Sequence, residues 1–346
     1  KNYGYARLME ILSPSPDRVE PKCAFHKQCG GCQIQALSYE KQLEYKKKKV
    51  LNNLTRIGGL SDLPEFDLIG MEEPYCYRNK AQFPIGTDKN GKIVAGFYAG
   101  RTHQIIPNLE CALGVDVNQN ILQVILDFMN QNHVSAYDET TGKGMVRHVY
   151  VRVNKKGESL CCIVANAKQL PREPELAALI MSAAPKTVGV VVNVNTMRSN
   201  VILGDKYRTI WGEDFLMDTL CGLTFRLSPR SFYQVNHHQA QRLYEAAISQ
   251  AEITKEDLVL DLYCGVGTIT LAMAKAAGKV IGVEVIEPAV QDAKDNAQRN
   301  NIENAEFFCG DAGKAALELE KQGVKPDVIV VDPPRKGLNA DTIEAL

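Results

Sequence analysis

Leu258-Val259-Leu260-Asp261-Leu262-Tyr263-Cys264-Gly265-Val266-Gly267 is the stretch that decides how this chain folds. An apolar run ending in an acid reads as a buried strand. The two glycines after it free the backbone for a tight turn into a helix. From there the texture alternates. A helix is expected over 267–277, a strand over Val280–Val285, a helix over 287–300 and a strand over Ala305–Phe308. A helix over 312–322, a strand over Val328–Val331 and one short further helix complete the pattern. Such alternation predicts parallel βαβ units and an α/β, Rossmann-like, doubly wound sheet.

In an open α/β sheet, ligands bind at the carboxyl ends of the strands. That end collects the glycine loop, Glu284 and Asp332-Pro333-Pro334-Arg335. Glu284 lies 17 residues after Gly267, where a carboxylate suits ribose hydroxyls. A dinucleotide fingerprint wants a third glycine where Thr270 stands, which disfavours a nicotinamide dehydrogenase. Asp-x-x-x-Gly-x-Gly with a later Glu suits S-adenosylmethionine; a ligand-free βα turn is the plain alternative. The two prolines stiffen the 332–335 loop. Arg335 stands where many amine methyltransferases carry an aromatic residue, which points away from adenine or cytosine N-methylation. In Ser231-Phe232-Tyr233-Gln234-Val235-Asn236, Gln234 offers a donor and an acceptor, suited to a uracil edge or to the amino acid end of the cofactor. Phe232 is suited to stacking on a base. Cys264, inside the glycine loop, is expected to be a packing residue rather than a nucleophile.

Upstream, Cys23-x5-Cys29-Gly30-Gly31-Cys32 reads as a metal or iron–sulfur site. The remaining cysteines Cys76, Cys161, Cys162, Cys221 and Cys309 sit in apolar or strand-like stretches and are expected in the core. This usage suits a reducing, cytoplasmic compartment. The 346 residues allow two or three domains, with 45% hydrophobic and 23% charged residues, ordinary for a globular protein. No apolar run is long enough to span a bilayer, so no membrane is expected. The net charge of −1 hides an asymmetry: residues 1–60 carry +6 and the rest −7. A basic amino-terminal face suits a phosphate-rich partner.

Residues 1–22 are polar and end in Pro14, Pro16 and Pro21. Ser38 to about Arg56 reads as a helix with Leu43, Val50, Leu54 and Ile57 on one face, Lys46–Lys49 around the rest, and Gly58-Gly59 as the stop. Residues 74–230 read as α+β. Strands are expected at Lys80–Ile85, Ile93–Tyr98, Met145–Asn154, Leu160–Ala165, Val188–Asn195 and Asn200–Leu203, and helices at 116–132 and 173–183.

Cys-x5-Cys-Gly-Gly-Cys-Gln-x-Gln, Ser-Phe-x-Gln-Val-Asn, Asp-Leu-Tyr-Cys-Gly-x-Gly and Asp-Pro-Pro-Arg-Lys-Gly occur here in that order. Together they resemble the bacterial RNA (uracil-C5)-methyltransferases that carry a 4Fe–4S cluster and an amino-terminal TRAM domain, and among them the 23S rRNA enzymes. The resemblance implies S-adenosylmethionine as cofactor, with Gln234, Tyr263, Glu284, Asp311 and Asp332 contacting it. It implies Cys111 as a fourth cluster ligand beside Cys23, Cys29 and Cys32; a structural zinc site on the same four thiolates is the alternative. An iron–sulfur radical enzyme is disfavoured, because its Cys-x3-Cys-x2-Cys spacing is absent. The implied domains are a remnant of the OB-like TRAM barrel over 1–22 and an iron–sulfur-containing central domain over 23–40 and 74–230. A basic helix segment over 41–73 packs on a methyltransferase domain over 231–346. The family's nucleophilic cysteine and general-base glutamate lie downstream of the Asp-Pro-Pro-Arg motif, so they are expected beyond Leu346, and the natural protein is expected to continue. The implied partner is RNA, most of all 23S rRNA, and the implied state a monomer.

Overall fold

The computed structural model describes Gly4 and residues 6–346. The expected remnant over 1–22 thus includes residues outside the described set; within the described part, Arg18 bridges to Leu37. Helix α1 (Tyr39–Asn52) carries the lysine run and continues as a π-helical turn, Asn53–Ile57. Its expected apolar face is not buried: no residue of α1 is buried and Ile57 is 82% exposed. The support beneath it is narrow. Met71 N–H donates to Tyr39 Oη at 2.7 Å, and a Cβ added at Gly70 would meet Leu43 at 2.8 Å. The rest of the apolar stripe reaches past this strap.

The middle of the chain builds strands β1 (Lys80–Thr87), β2 (Ile93–Tyr98) and β3 (Ile105–Pro107), helix α2 (Val117–Gln131), strands β4 (Val146–Val153) and β5 (Ser159–Ala165), helix α3 (Glu173–Ala183), and strands β6 (Thr187–Val194) and β7 (Lys206–Gly212). They form one seven-stranded sheet, order β3-β2-β1-β4-β5-β6-β7. Only β5 and β6 pair in parallel, and the crossover that parallel pairing requires is α3. Every residue of β4 and β5 is buried. The two-residue period sends Val149, Val151 and Cys161 to the core under α2 and α3, and Tyr150, Leu160 and Cys162 to a core on the other face.

Three expectations need correction. Asn200–Leu203 is a loop, not a strand, because the chain before it is held by side chains: Arg147 donates to the carbonyls of Asn195, Met197 and Ser199. Cys76 and Cys309 are exposed rather than core; Cys76 sits at φ 50° in a loop and Cys309 ends an edge strand. The hairpin of β8 (Leu216–Leu220) and β9 (Leu223–Leu227) packs Leu220, Phe225 and Leu227 against Tyr233, Tyr244 and Val266. The carboxy-terminal layer therefore draws in residues well before 231.

Helix α4 (His237–Gln250), absent from the expected elements, is capped by Asn236, whose side chain accepts from Gln239 N–H at 3.2 Å. Then come β10 (Leu258–Asp261), α5 (Thr268–Ala274), β11 (Lys279–Glu284), α6 (Glu287–Arg299), β12 (Ala305–Cys309), α7 (Ala312–Lys321), β13 (Val328–Val330) and α8 (Ala340–Glu344). The four strands pair in parallel, order β12-β11-β10-β13, as the alternation predicts.

The halves are joined by polar ties along 231–236. Asn79 N–H donates to the Val235 carbonyl at 2.9 Å and Asn79 Nδ2 to the Gln234 carbonyl at 3.0 Å. Buried Arg152 donates to the Ser231 carbonyl at 2.6 Å. Gln239 and Arg242 of α4 donate to the Ile69 and Gly70 carbonyls, so the strap under α1 rests on the carboxy-terminal half. No described helix is long and apolar enough to cross a membrane.

Candidate active site

The β10–α5 loop is shaped by its glycines. Gly265 and Gly267 sit at φ 54° and 83°, a region that disfavours residues with a Cβ. At Gly267 a Cβ would press on Ala293 and Phe307 at 3.2 and 3.3 Å; at Gly265 it would meet nothing within 4 Å. Gly267 therefore allows the loop to pack on α6 and β12, and Gly265 leaves open space beside the backbone.

Two carboxylates hold this loop. Fully buried Asp261 accepts from Thr270 Oγ1 at 2.6 Å and from Tyr263 N–H at 3.3 Å. Thr270 stands in place of the third glycine of a dinucleotide loop; here it clamps the start of the site, a role the sequence reading missed. Glu284, at the end of β11, accepts from Gly265 N–H at 3.1 Å and from Ile286 N–H at 2.9 Å. Burial raises the Asp261 pKa to about 6, and the Asp332 and Glu284 charges add to it. Three acids thus stand near one another at the carboxyl ends of neighbouring strands.

Tyr263 is half-buried inside the loop. Gln234 is half-buried and its carbonyl is held by Asn79. Asp332 is exposed just past β13. Asp311 caps α7, accepting from Lys314 N–H at 3.2 Å. Cys264 is 3% exposed, and burial first, then Asp261 and Glu284, pushes its thiol pKa far up; a thiol so held is a packing group. Thr268 Oγ1 and Tyr244 Oη lie 2.9 Å apart, which ties α4 to the loop. Val285, Ile286 and Phe308 are 64%, 56% and 48% exposed beside Glu284, an apolar surface that a flat ring would cover.

Cys23, Cys29, Cys32 and Cys111 lie in one neighbourhood beside the end of β2, near enough for their charges to interact but not closed into a ligand set. Cys29 bridges Ala99, and Gly30 N–H donates to the Tyr98 carbonyl at 3.0 Å. Burial first, and the neighbouring thiols of Cys111 and Cys23 after it, raise the pKa of Cys29 and Cys32. Each sulfur of the amino-terminal three has an N–H aimed at it: Gly31 N–H on Cys29 at 3.4 Å, Gln35 Nε2 on Cys32 at 4.0 Å and Asn108 Nδ2 on Cys23 at 3.8 Å. Such donors stabilise thiolates, so the donor set fits thiolate ligation in kind. Among the described residues no three His, Cys, Asp or Glu side chains are gathered to hold a metal ion.

Comparison with known proteins adds to this geometry. A family described as tRNA (Uracil-5-)-methyltransferase matches residues 192–346. An uncharacterized RNA methyltransferase of Oceanobacillus iheyensis is 41% identical over 348 aligned positions, covering 100% of this chain and 75% of the relative. One of Listeria monocytogenes is 42% identical, covering 100% of the chain and 76% of the relative. The crystal structure of Pyrococcus abyssi tRNA (uracil-54, C5)-methyltransferase in complex with S-adenosyl-L-homocysteine superposes with a TM-score of 0.74 at 25% identity, covering 97% of this chain and 75% of that one.

Proposed function

We propose that this chain, which belongs to the S-adenosylmethionine-dependent RNA (uracil-5-)-methyltransferase family, methylates uridine C5 in 23S rRNA through a covalent cysteine adduct at uracil C6. The observation that carries the reading is the β10–α5 loop, with open space beside Gly265, Glu284 holding the loop, and Asp332 on the adjoining strand end. In this reading Gln234, Tyr263, Glu284, Asp311 and Asp332 hold the cofactor, and Val285, Ile286 and Phe308 cover its adenine. Bound there, S-adenosylmethionine supplies an electrophilic methyl group.

Uracil C5 is a poor nucleophile. A thiolate adding at C6 makes C5 enolate-like and able to take the methyl group, with S-adenosylhomocysteine leaving; a base then removes the C5 proton, and the thiolate is expelled from C6 as the C5–C6 double bond re-forms. The resemblance places that thiolate and base downstream of Arg335. Cys264 is not available for the role, being buried and tightly packed. The target base has to leave any stack to expose C6.

The four cysteines support rRNA as substrate, since within the resemblance they mark the rRNA enzymes. In this reading Cys23, Cys29, Cys32 and Cys111 hold a 4Fe–4S cluster that organises the central domain. Protein purified anaerobically should be brown and carry about four irons per chain; a colourless protein with stoichiometric zinc would overturn the cluster. The superposition on a tRNA uracil-54 enzyme favours tRNA as the second reading. Tritium release from RNA labelled at uridine C5 separates the two. Release from 23S rRNA alone supports the proposal, release from tRNA alone replaces the substrate, and cofactor binding without release from either points to an RNA-binding protein.

A further inference from the structure

A cleft of about 730 Å³ opens on the central sheet, and none of its lining residues comes from beyond His148. It is therefore separate from the cofactor loop. His148 lines it, is 7% exposed, and its Nδ1 has no hydrogen-bond partner among the described residues. Burial, with Arg147 adding, lowers the His148 pKa to about 4. The ring is neutral near pH 7, able to donate and accept but carrying no charge. Arg147 lies across the Tyr137 ring at 4.5 Å; its terminal nitrogens donate to the Asn195, Met197 and Ser199 carbonyls, and its buried Nε has no partner among the described residues.

Across the mouth, the Tyr98 and His103 rings stand 5.2 Å apart. Both are tied to Glu139: Tyr98 Oη donates to one oxygen at 3.2 Å and His103 Nδ1 pairs with the other. The Glu139 carboxylate is thus held in place, yet each oxygen keeps a lone pair. The neighbouring acids are used locally. Asp88 accepts from Asn90 and Lys92 N–H, and Asp138 from Thr140 and Thr141 N–H.

Aromatic faces beside a fixed two-oxygen acceptor match one nucleobase edge well. Guanine presents N1–H and its 2-amino group side by side, and both donate. Uracil would turn a carbonyl toward the carboxylate. We propose that this cleft holds one unpaired guanine of the substrate RNA, splayed from its strand, stacked against Tyr98 and His103 and read by Glu139. The proposal rests on the reading of the protein as an RNA methyltransferase. It adds an anchoring point that positions RNA without touching the reacting base. The wall is continuous with the cysteine loop, through the Gly30–Tyr98 bond.

The test uses the full-length protein, prepared anaerobically, with 23S rRNA and tRNA transcripts. Wild-type tritium release first identifies the methylated RNA. Glu139→Gln and His103→Ala alter side chains that are 47% and 68% exposed, so the fold should survive, and S-adenosylmethionine affinity verifies it. The KM for that RNA should rise about tenfold with kcat nearly constant, the scale of one lost base-reading contact. Replacing unpaired guanosines one at a time by inosine, which lacks the 2-amino group, should reproduce the loss at one position. That same replacement should add nothing in the Glu139→Gln enzyme. Variants with wild-type KM, or a wild type indifferent to inosine at every unpaired position, overturn the guanine site. Should neither RNA release tritium, the methylation reading fails. Direct binding of the same transcripts then judges the cleft, and equal affinities of wild type and Glu139→Gln overturn it.

Discussion

The seven-stranded sheet and the four-stranded sheet bury their strands to different effect. In the first, β4 and β5 are buried from end to end and feed apolar side chains into a core on each face. In the second, the buried strands deliver acids to one end. Asp261, Glu284 and Asp332 gather there, beside glycines with positive φ. The first sheet is a frame. The second uses part of its stability to hold like charges and an open loop in place, as expected where a ligand is to bind.

The sharpest way to break this comparison lies in the frame. Phe83 is fully buried in its core, and Phe83→Ala should lower unfolding free energy by about 3–5 kcal/mol in urea titrations. S-adenosylmethionine affinity at low urea should stay as in wild type. A parallel loss of affinity would make the two sheets one energetic unit.

Asp261 comes next. Its folded pKa of about 6 exceeds the ordinary 3.8, chiefly through burial. An acid raised on folding favours the native state while protonated. The contribution is complete below the unfolded pKa of 3.8 and is lost as pH climbs through about 6. The unfolding free energy of wild type relative to Asp261→Asn should therefore fall by roughly 2.4 kcal/mol between pH 4 and 7. A flat difference would mean the acids do not strain the second sheet.

Glu284→Gln removes the charge from bonds to Gly265 and Ile286 N–H. Calorimetry should show S-adenosylmethionine binding about 10–100-fold weaker, matching about 1.5–3 kcal/mol for hydrogen bonds to a charged group. The smallest effect is expected for Asp311→Ala, which removes the α7 cap and should lower stability by about 1 kcal/mol. Cofactor affinity at wild-type level in that variant would confine Asp311 to capping.

The same contrast explains what was legible in the sequence. The parallel half follows from local alternation: β10, β11 and β12 each pair with a neighbour reached through one helix, and only β13 crosses back to pair with β10. In the frame consecutive strands pair except at one seam, β1 with β4, and periodicity says nothing about that partner. β7 was missed because Lys206–Gly212 is mostly exposed and polar, without the apolar alternation that marks a strand. α4 is not legible because its first turn, His237-His238-Gln239, is polar and carries no apolar period. At the site, the spacing of the glycines and Glu284 was enough to place the loop. The clamp by Thr270 was not readable, because the same residue in sequence appeared only as a missing glycine. The proposed guanine cleft was invisible for a further reason: Tyr98 and His148 lie on different strands and Glu139 on the loop before β4, and only the folded sheet and that loop bring them together.

The ties along 231–236 carry a consequence for engineering. Gln234 approaches the cofactor half from a segment whose carbonyls are gripped by Asn79 and Arg152 of the other half. The carboxy-terminal half is therefore not a portable cassette. Grafted alone onto a foreign RNA-binding module, it would keep its glycine loop but lose the grip on the backbone of residues 231–235. A working chimera has to bring the β1 and β4 ends along with it.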